Sequence, residues 1–463
     1  MRRVLKFLKW LTILVVVAVG GLAVFLYAAP PALIRVGSAY TAKIVCSNHF
    51  IAKRDAQEVL KLDVQAPGHP LLRLMTVRVD EGKGRVKAGL LGVFGMNTAV
   101  YREGLGCASL SEGGRLAPLQ APGKIIPQAN VSALWPQGGT IAASQDKDIA
   151  AILDDPALQG PGMRAIIAVQ NGRIIGERYG SGFDANTPLL GWSMTKTVNA
   201  ALLGTLVQSG KLALDKTDIF PGWAGDERRG ISVADLMGMS SGLLFNEDYG
   251  SVTDVTRMLF LEPDMAGFAL KKPLDGKTGL KFNYSSGTAV LLSRIWQNAH
   301  GGNAGAYPQE ALFGPLGMAS AVMETDASGT FAGSSYLYAT GRDWARFGEF
   351  LRLDGVWNGQ AILPPGFVSM MREPVPVSDS GFGPEYGKGQ LWLRGPEAGT
   401  EPGFDPDAGF ELPADTFWML GHDGQSAAVI PSKGLVVVRL GLTPSKLRYK
   451  PQGLVAALVR AAE

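Results

Sequence analysis

The chain has 463 residues, of which 46% are hydrophobic and 18% charged, and its formal net charge is +3. This composition excludes a disordered protein, and so small a charge gives no electrostatic basis for binding nucleic acid. The four histidines, His49, His69, His300 and His422, are never four residues apart, so they cannot form an HExxH-type metal site. The length predicts roughly two or three domains.

The N-terminus combines a basic tip with a long apolar stretch. Arginines and lysines in residues 1–9 precede an uncharged segment, 10–34, in which roughly 20 continuously apolar residues are enough to span a bilayer as a helix. Because the basic tip should stay in the cytoplasm, we expect a single-pass anchor in the inner membrane, with the rest of the chain on the periplasmic side. A cleavable signal peptide is the alternative, although "LYAAPP" lacks a clean A-x-A site.

Two cysteines follow this segment, and both would then lie in an oxidising compartment. There an even pair predicts a disulfide between Cys46 and Cys107, and two buried free thiols are the alternative. The surrounding residues, 36–116, are predicted to form a small strand-rich region, with strands at 71–79 and in the segment that runs into Cys107. The Pro- and Gly-rich stretch 117–139 predicts a linker.

Residues 140–463, the main domain, have an α+β pattern. "MRAIIAVQNGRIIGERYG" predicts a hairpin with a type I′ turn at Asn171-Gly172. Three more strand-like segments lie near the C-terminus, "DTFWMLG", "SAAVIP" and "GLVVVRLGL", before an amphipathic helix. We therefore expect an antiparallel sheet made from both ends of the domain, with helices between them. The predicted helices are 194–209, 232–239, 287–299, 308–316 and 342–353.

The pattern Ser-x-x-Lys, which can pair a nucleophilic hydroxyl with an activating amine, occurs twice. Ser144, with Lys147, precedes the short "DIAAIL" helix, so its expected role is an N-cap. Ser193 has the same alternative, but the helix behind it, "VNAALLGTLV", is apolar nearly all round and must be buried. Lys196 lies one turn after Ser193 on the same face, and the helix N-terminus should lower its pKa.

Five segments follow in a definite order: "RRGISVADLMGMSSGLLF", "FNYSSGTAVLLSRIW", "FGPLGM", "GRDWARFGEFL" and "GHDGQSAAVIP". With "GWSMTKT", this succession resembles the serine β-lactamase and penicillin-binding-protein superfamily. Within it, the chain is similar to the class C β-lactamase-related hydrolases, which include esterases and 6-aminohexanoate-dimer hydrolases. The resemblance covers about 140–460. It implies a β-lactamase/transpeptidase-like fold and makes 140–463 a serine hydrolase domain that needs neither a metal nor an organic cofactor.

The resemblance also assigns roles to matching residues. It implies that Ser193 is the acylated nucleophile and that Lys196 is the amine that helps to deprotonate it. Tyr284 matches the family's tyrosine and would exchange the serine proton, with its pKa lowered by the neighbouring lysine. A half-buried aromatic residue that opens a helix is the alternative for Tyr284. The N–H groups of Ser193 and Gln425 would form the oxyanion hole.

The family's third box has two candidate positions in this chain. The literal triplet Lys277–Gly279 precedes Tyr284, whereas the box follows the tyrosine in the family, and the Asp-Gly-Lys-Thr-Gly context predicts a turn. The segment 422–424 lies at the matching place between two strands, and its glycine would let the substrate approach the backbone. The expected substrate-binding residues are His422, Asp423, Gly424, Ser286 and Tyr249. A surface loop tyrosine is the alternative for Tyr249.

Two departures from the family pattern bear on the substrate. His422 stands where a lysine attracts the substrate carboxylate of β-lactamases and carboxypeptidases, and Ser286 replaces the amide of the Tyr-x-Asn version. Both favour an esterase or amidase that acts on small ester, amide or peptide-like substrates. A β-lactamase or D-Ala-D-Ala carboxypeptidase is one alternative. A non-catalytic cell-envelope binding protein with this fold is another, which the trio Ser193, Lys196 and Tyr284 disfavours.

Two further pairs of residues are expected to be structural. Trp192 and Met194 flank the proposed nucleophile and are predicted to be packing residues. Glu324 and Asp326, in "METDASGTF", are predicted to be solvated acids in a turn.

Overall fold

The structure is a computed structural model that describes residues 2–110, 114–123, 133–142, 146–375 and 385–462. Helix α1 (Arg2–Ala28) has no buried residue, and among the described residues it is the one helix long and apolar enough to cross a bilayer. It ends earlier than the predicted segment 10–34. Pro30 and Pro31 interrupt the helix, because a proline disfavours helical backbone at the residue before it and lacks an N–H donor. Ile34 is already buried in the next helix.

The N-terminal module (residues 32–110) is a helix on a sheet. Helix α2 (Ala32–Phe50) packs against a four-stranded antiparallel sheet. The strands, in spatial order, are β1 (Met75–Asp80), β2 (Arg85–Leu90), β3 (Phe94–Arg102) and β4 (Gly106–Ser109). A short helix, α3 (Ala56–Val59), connects α2 to the sheet. Cys46 of α2 and Cys107 of β4 form a fully buried disulfide, which ties the helix to the last strand.

The main domain is built on a five-stranded antiparallel sheet that uses both ends of the domain, as predicted. Its strands are β5 (Met163–Gln170), β6 (Arg173–Tyr179), β12 (Phe417–Gly421), β13 (Gln425–Ile430) and β14 (Leu435–Gly441). Their spatial order is β12-β13-β14-β5-β6. Asn171 and Gly172, at the tip of the β5–β6 hairpin, have φ of 48° and 73°, the left-handed pair that a type I′ turn requires.

Two small sheets complete the strand inventory of the described residues. Strands β7 (Leu189–Leu190), β8 (Val322–Met323) and β9 (Leu337–Ala339) form one sheet with β9 in the middle. Strands β10 (Val356–Trp357) and β11 (Gln360–Ala361) pair as a hairpin.

Helices cover both faces of the central sheet. Along β5, Ile167 and Val169 face the core shared with α12 (Gly341–Arg352), while Ile166 and Ala168 face the opposite layer. That layer contains α4 (Lys147–Asp154), α5 (Pro156–Gln159) and α14 (Gln452–Ala461). The remaining helices are α6 (Thr195–Gln208), α7 (Val233–Met237), α8 (Asp254–Phe260), α9 (Met265–Leu270), α10 (Ser286–His300), α11 (Gly314–Leu316) and α13 (Phe367–Met371).

The N-cap of α4 is Asp146. Ser144, the predicted cap, lies outside the described residues. Asp146 caps the helix, because its carboxylate accepts hydrogen bonds from the N–H groups of Asp148 at 2.8 Å and Ile149 at 3.1 Å.

The prediction that Glu324 and Asp326 are solvated is wrong, since both are almost completely buried. Glu324 forms an ion pair with Lys43 of α2 and accepts hydrogen bonds from Ser47 Oγ at 2.9 Å and Cys107 N at 2.5 Å. A carboxylate loses its hydration on burial and requires such partners. Glu324 therefore joins the main domain to the N-terminal module, a contact that local sequence pattern does not reveal.

Candidate active site

Ser193 lies in a tight turn, Trp192–Met194, that leads directly into α6. Residues Thr195–Leu206 of α6 are all buried, which confirms the prediction of a buried helix, while Ser193 itself is partly exposed. Trp192 has a φ of 48°, an unfavourable left-handed conformation for a residue with a side chain. A Cβ atom at Gly191 would overlap the indole ring of Trp344. The turn is thus held tightly, with the hydroxyl at its accessible edge.

Lys196 contacts the Ser193 hydroxyl from within the protein. Its Nζ lies 3.1 Å from Ser193 Oγ, 3.1 Å from Ser286 Oγ and 3.0 Å from the carbonyl oxygen of Ser334. Burial lowers the pKa of Lys196 to about 8, and the negative charge of Glu247 opposes this shift. The lowered pKa agrees with the sequence prediction. Its main cause is desolvation, whereas the helix N-terminus was the expected cause. A substantial fraction of this amine is therefore neutral near pH 8.

Tyr284 is a second neighbour of the Ser193 hydroxyl. Its phenol is hydrogen-bonded to Ser193, and Lys196 Nζ lies 4.7 Å from the centre of its ring. The ring packs against Tyr386 and Trp392, with centroids 5.8 and 5.4 Å away. Burial, reinforced by the charge of Glu247, raises the pKa of Tyr284 far above its usual value. The expectation of a lowered pKa was wrong, and the raised pKa keeps the phenol protonated near neutral pH.

Glu247, for which the sequence predicted no role, belongs to the site. Its carboxylate accepts hydrogen bonds from Ser286 N at 2.8 Å and Ser286 Oγ at 2.5 Å. Burial raises the pKa of Glu247, whereas Lys196 and the Ser286 hydrogen bonds lower it. A chain of contacts thus runs from Glu247 through Ser286 and Lys196 to Ser193. The sequence places Glu247 in the same segment as Tyr249, an expected substrate-binding residue, but its contact with Ser286 at the start of α10 depends on the fold.

The turn 422–424 joins β12 to β13 beside the Trp192–Met194 turn. Asp423 and Gly424 have φ of 56° and 82°, and a Cβ atom at Gly424 would lie 2.9 Å from Thr443 Cβ. Close packing and the turn conformation thus require a glycine at position 424. From the sequence, substrate access to the backbone was the expected reason for this glycine. The Gln425 side chain is turned inward, where its Nε2 donates to His422 O at 3.1 Å and its Oε1 accepts from Gly441 N at 2.9 Å.

Three aromatic side chains meet in front of this turn. The rings of Tyr249 and His422 stack with centroids 4.9 Å apart, and Trp192 contacts His422 edge-on at 5.5 Å. His422 Nε2 lies 3.6 Å from Asp423 Oδ1. These four residues are part of the wall of a cavity of about 160 Å³. Trp192, predicted to be only a packing residue, therefore also faces the cavity, whereas Met194 is fully buried.

The literal Lys-Thr-Gly triplet lies elsewhere, in a turn, as predicted. Thr278 Oγ1 donates to Ser241 O at 3.2 Å, and the N–H of Gly279 donates to Ser240 O at 2.7 Å. With a φ of 78°, Gly279 has the left-handed conformation typical of such turns. None of these contacts involves the Trp192–Met194 turn.

Comparison with known proteins agrees with this architecture. The "Beta-lactamase" family model matches residues 149–452. A 6-aminohexanoate-dimer hydrolase of Paenarthrobacter ureafaciens is 24% identical over 347 residues, which are 70% of this chain and 84% of that protein.

Two solved structures share the fold at low sequence identity. A family VIII carboxylesterase has a TM-score of 0.51 and 14% identity over 69% of this chain and 98% of its own. A penicillin-binding protein from Bacillus halodurans has a TM-score of 0.50 and 14% identity, with 68% and 98% covered. The fold and the extent of the family match together show that this chain belongs to the beta-lactamase family.

Proposed function

We propose that the protein is a serine hydrolase that cleaves an ester or amide bond through a covalent acyl-enzyme on Ser193. The observation that carries this proposal is the 3.1 Å contact between Lys196 Nζ and Ser193 Oγ, made by a buried amine whose pKa is lowered to about 8. A hydroxyl becomes a useful nucleophile when a neighbouring base accepts its proton. Lys196 is that base in its neutral form.

Tyr284 supplies the proton that the leaving group needs. Its raised pKa keeps the phenol protonated, and its hydrogen bond to Ser193 places it beside the reacting bond. As Ser193 Oγ attacks the carbonyl carbon, its proton passes to Lys196. When the tetrahedral intermediate collapses, Tyr284 protonates the departing oxygen or nitrogen. The proton that Lys196 took from Ser193 then reprotonates Tyr284. A water molecule then hydrolyses the acyl-enzyme by the same transfers in reverse.

The negative charge of the tetrahedral intermediate requires backbone donors. The N–H groups of Ser193 and Gln425 are the proposed pair, because β13 begins beside the Trp192–Met194 turn. The inward contacts of the Gln425 side chain hold the first residue of this strand in place. Such a pair contributes on the order of 3 kcal/mol for each donor.

The charges around the site favour a substrate without a carboxylate next to the scissile bond. Glu247 and Asp423 are acidic, and His422 is the group that stands where the family's lysine attracts a carboxylate. β-Lactams and D-Ala-D-Ala peptides carry that carboxylate, so these charges disfavour them. Uncharged esters and amides fit better, and the names of the hydrolase and carboxylesterase relatives point to the same bond types.

The proposed location is the periplasmic face of the inner membrane. α1 is exposed and apolar throughout most of its length, and the basic residues that open it favour a cytoplasmic N-terminus. The Cys46–Cys107 disulfide supports an oxidising compartment for the remainder of the chain.

The test is hydrolysis of p-nitrophenyl butanoate by the full-length protein in phospholipid nanodiscs. The wild type should release p-nitrophenol, and Ser193→Ala and Lys196→Ala should each lose nearly all of this activity. Equal turnover by Ser193→Ala would overturn the proposal. Rapid nitrocefin hydrolysis, with little ester hydrolysis, would assign the site to a β-lactamase instead.

A further inference from the structure

The cavity beside the Trp192–Met194 turn lies between the main domain and the N-terminal module. We infer that it binds the linear acyl chain of the substrate, so that the enzyme acts on esters of medium to long unbranched acids. This inference rests on the proposed hydrolase activity and specifies its substrate class. The cavity volume is about 160 Å³, and most of its wall is apolar, as in pockets that hold small organic ligands.

The N-terminal module contributes most of the apolar wall. Leu33 and Val36 of α2 and Leu71 and Leu72, just before β1, face the cavity, and Phe260 of α8 faces it from the main domain. The "Beta-lactamase" family match begins only at residue 149. This wall is therefore an addition of this chain to the common fold, and the chain length of the substrate is the property it determines.

The Trp192–Met194 turn contributes one residue to the cavity wall. Trp192, which directly precedes Ser193, lines the cavity together with His422 and Tyr249, whose rings stack on each other. The rest of the wall combines aliphatic side chains with a few polar groups, and no lysine or arginine is among the cavity-lining residues of the described chain. A largely apolar, uncharged acyl chain fits such a wall.

The position of the cavity relative to α1 supports the same ligand. Leu33 follows Ala28, the last residue of α1, by five residues, which span at most roughly 17 Å. If α1 spans the bilayer as proposed, the cavity edge lies close to the membrane surface. Esters with long acyl chains concentrate there, because burying each methylene away from water is favourable.

A series of p-nitrophenyl esters from butanoate to octanoate tests the inference with the full-length protein in nanodiscs. We expect kcat/KM to rise roughly four-fold for each added methylene, the ratio that corresponds to about 0.8 kcal/mol. In Leu33→Glu, the octanoate-to-butanoate ratio should fall about ten-fold, because a carboxylate in an apolar wall resists desolvation. The matched control is Leu353→Glu at the end of α12, since Leu33 is 38% exposed and Leu353 is 39% exposed. It should leave the ratio unchanged.

A binding measurement separates this inference from the proposed reaction. We expect octanoate to bind Ser193→Ala in calorimetry at least ten-fold more tightly than butanoate does, and Leu33→Glu to abolish the difference. Ester hydrolysis that depends on Ser193 but not on chain length would overturn the inference and leave the proposed function intact. If no ester is hydrolysed, the proposed function fails, and the octanoate binding alone decides whether the cavity holds an acyl chain. Equal binding of both acids would overturn it.

Discussion

Lys196 Nζ lies 3.1 Å from Ser193 Oγ and at the same distance from Ser286 Oγ, which is itself bound to the Glu247 carboxylate. The lysine therefore lies between the proposed nucleophile, Ser193, and a hydrogen-bonded path to Glu247. Burial lowers the pKa of this amine and Glu247 raises it, so the balance between them determines how much of the base is neutral at a given pH.

Activity should therefore rise with pH as Lys196 loses its proton. With a pKa of about 8, the acidic limb of kcat/KM for an ester substrate should have its midpoint near pH 8. Glu247→Gln removes the charge that raises this pKa, so the midpoint should move to lower pH. Asp248→Asn, at the exposed neighbouring residue, is the matched control and should not move it. A limb that stays in place or moves to higher pH in Glu247→Gln would contradict this coupling.

Removal of the Tyr284 hydroxyl should reduce the chemical step. Tyr284→Phe keeps the ring contacts with Tyr386 and Trp392, so the melting temperature should change little, while kcat should fall about 10²–10⁴-fold. Tyr386→Phe is the control, because its buried hydroxyl has no hydrogen-bond partner among the described residues. Steady-state kinetics on both variants measure the difference. Comparable kcat in Tyr284→Phe and wild type would remove the tyrosine from the mechanism.

Loss of Glu324 should destabilise the protein far more than loss of a surface acid. Glu324→Ala leaves Lys43 buried without its ion pair, which costs about 3–5 kcal/mol in free energy of unfolding. Glu373→Ala breaks the exposed pair with Lys388 and should cost less than about 1 kcal/mol. Urea unfolding gives both values. The double variant Lys43→Met/Glu324→Leu should recover part of the loss, and a double variant worse than Glu324→Ala would contradict this explanation.

The disulfide should stabilise the N-terminal module by restricting its unfolded state. Cys46 and Cys107 are 61 residues apart, and closing a loop of that length contributes about 4 kcal/mol in the chain-entropy account. Cys46→Ala/Cys107→Ala should lose stability of that order. Adding a reductant should destabilise the wild type to a similar extent and leave the double variant unchanged. A wild type as stable with reductant as without it would rule out this contribution.

Local sequence pattern was sufficient for the elements that depend on local rules. The β5–β6 hairpin was predictable because Asn171-Gly172 adopts positive φ at low cost between two apolar segments. Helix α6 was predictable because an apolar sequence on every side requires burial. The literal Lys-Thr-Gly triplet was recognisable as an ordinary turn because it precedes Tyr284 and has turn residues around Gly279. The order of the family's motifs identified 422–424 as the matching segment.

Long-range contacts were not predictable in the same way. Glu247 and Glu324 look like ordinary loop acids in the sequence, and only their partners Ser286 and Lys43, far away in the chain, explain their burial. The pKa of Tyr284 was expected to fall because the lysine was considered, but the larger effect is desolvation by the surrounding fold. Helix α2 was missed because its apolar residues continue the composition of the preceding apolar segment.

Mass spectrometry after treatment with a fluorophosphonate probe shows whether Ser193 is the nucleophile, with the intact mass counting the adducts and a digest locating them. We expect one adduct per chain, on the peptide that contains Ser193, formed faster as the pH rises through about 8, and absent in Ser193→Ala. An adduct on a different residue, or undiminished labelling of Ser193→Ala, would show that Ser193 is not the nucleophile.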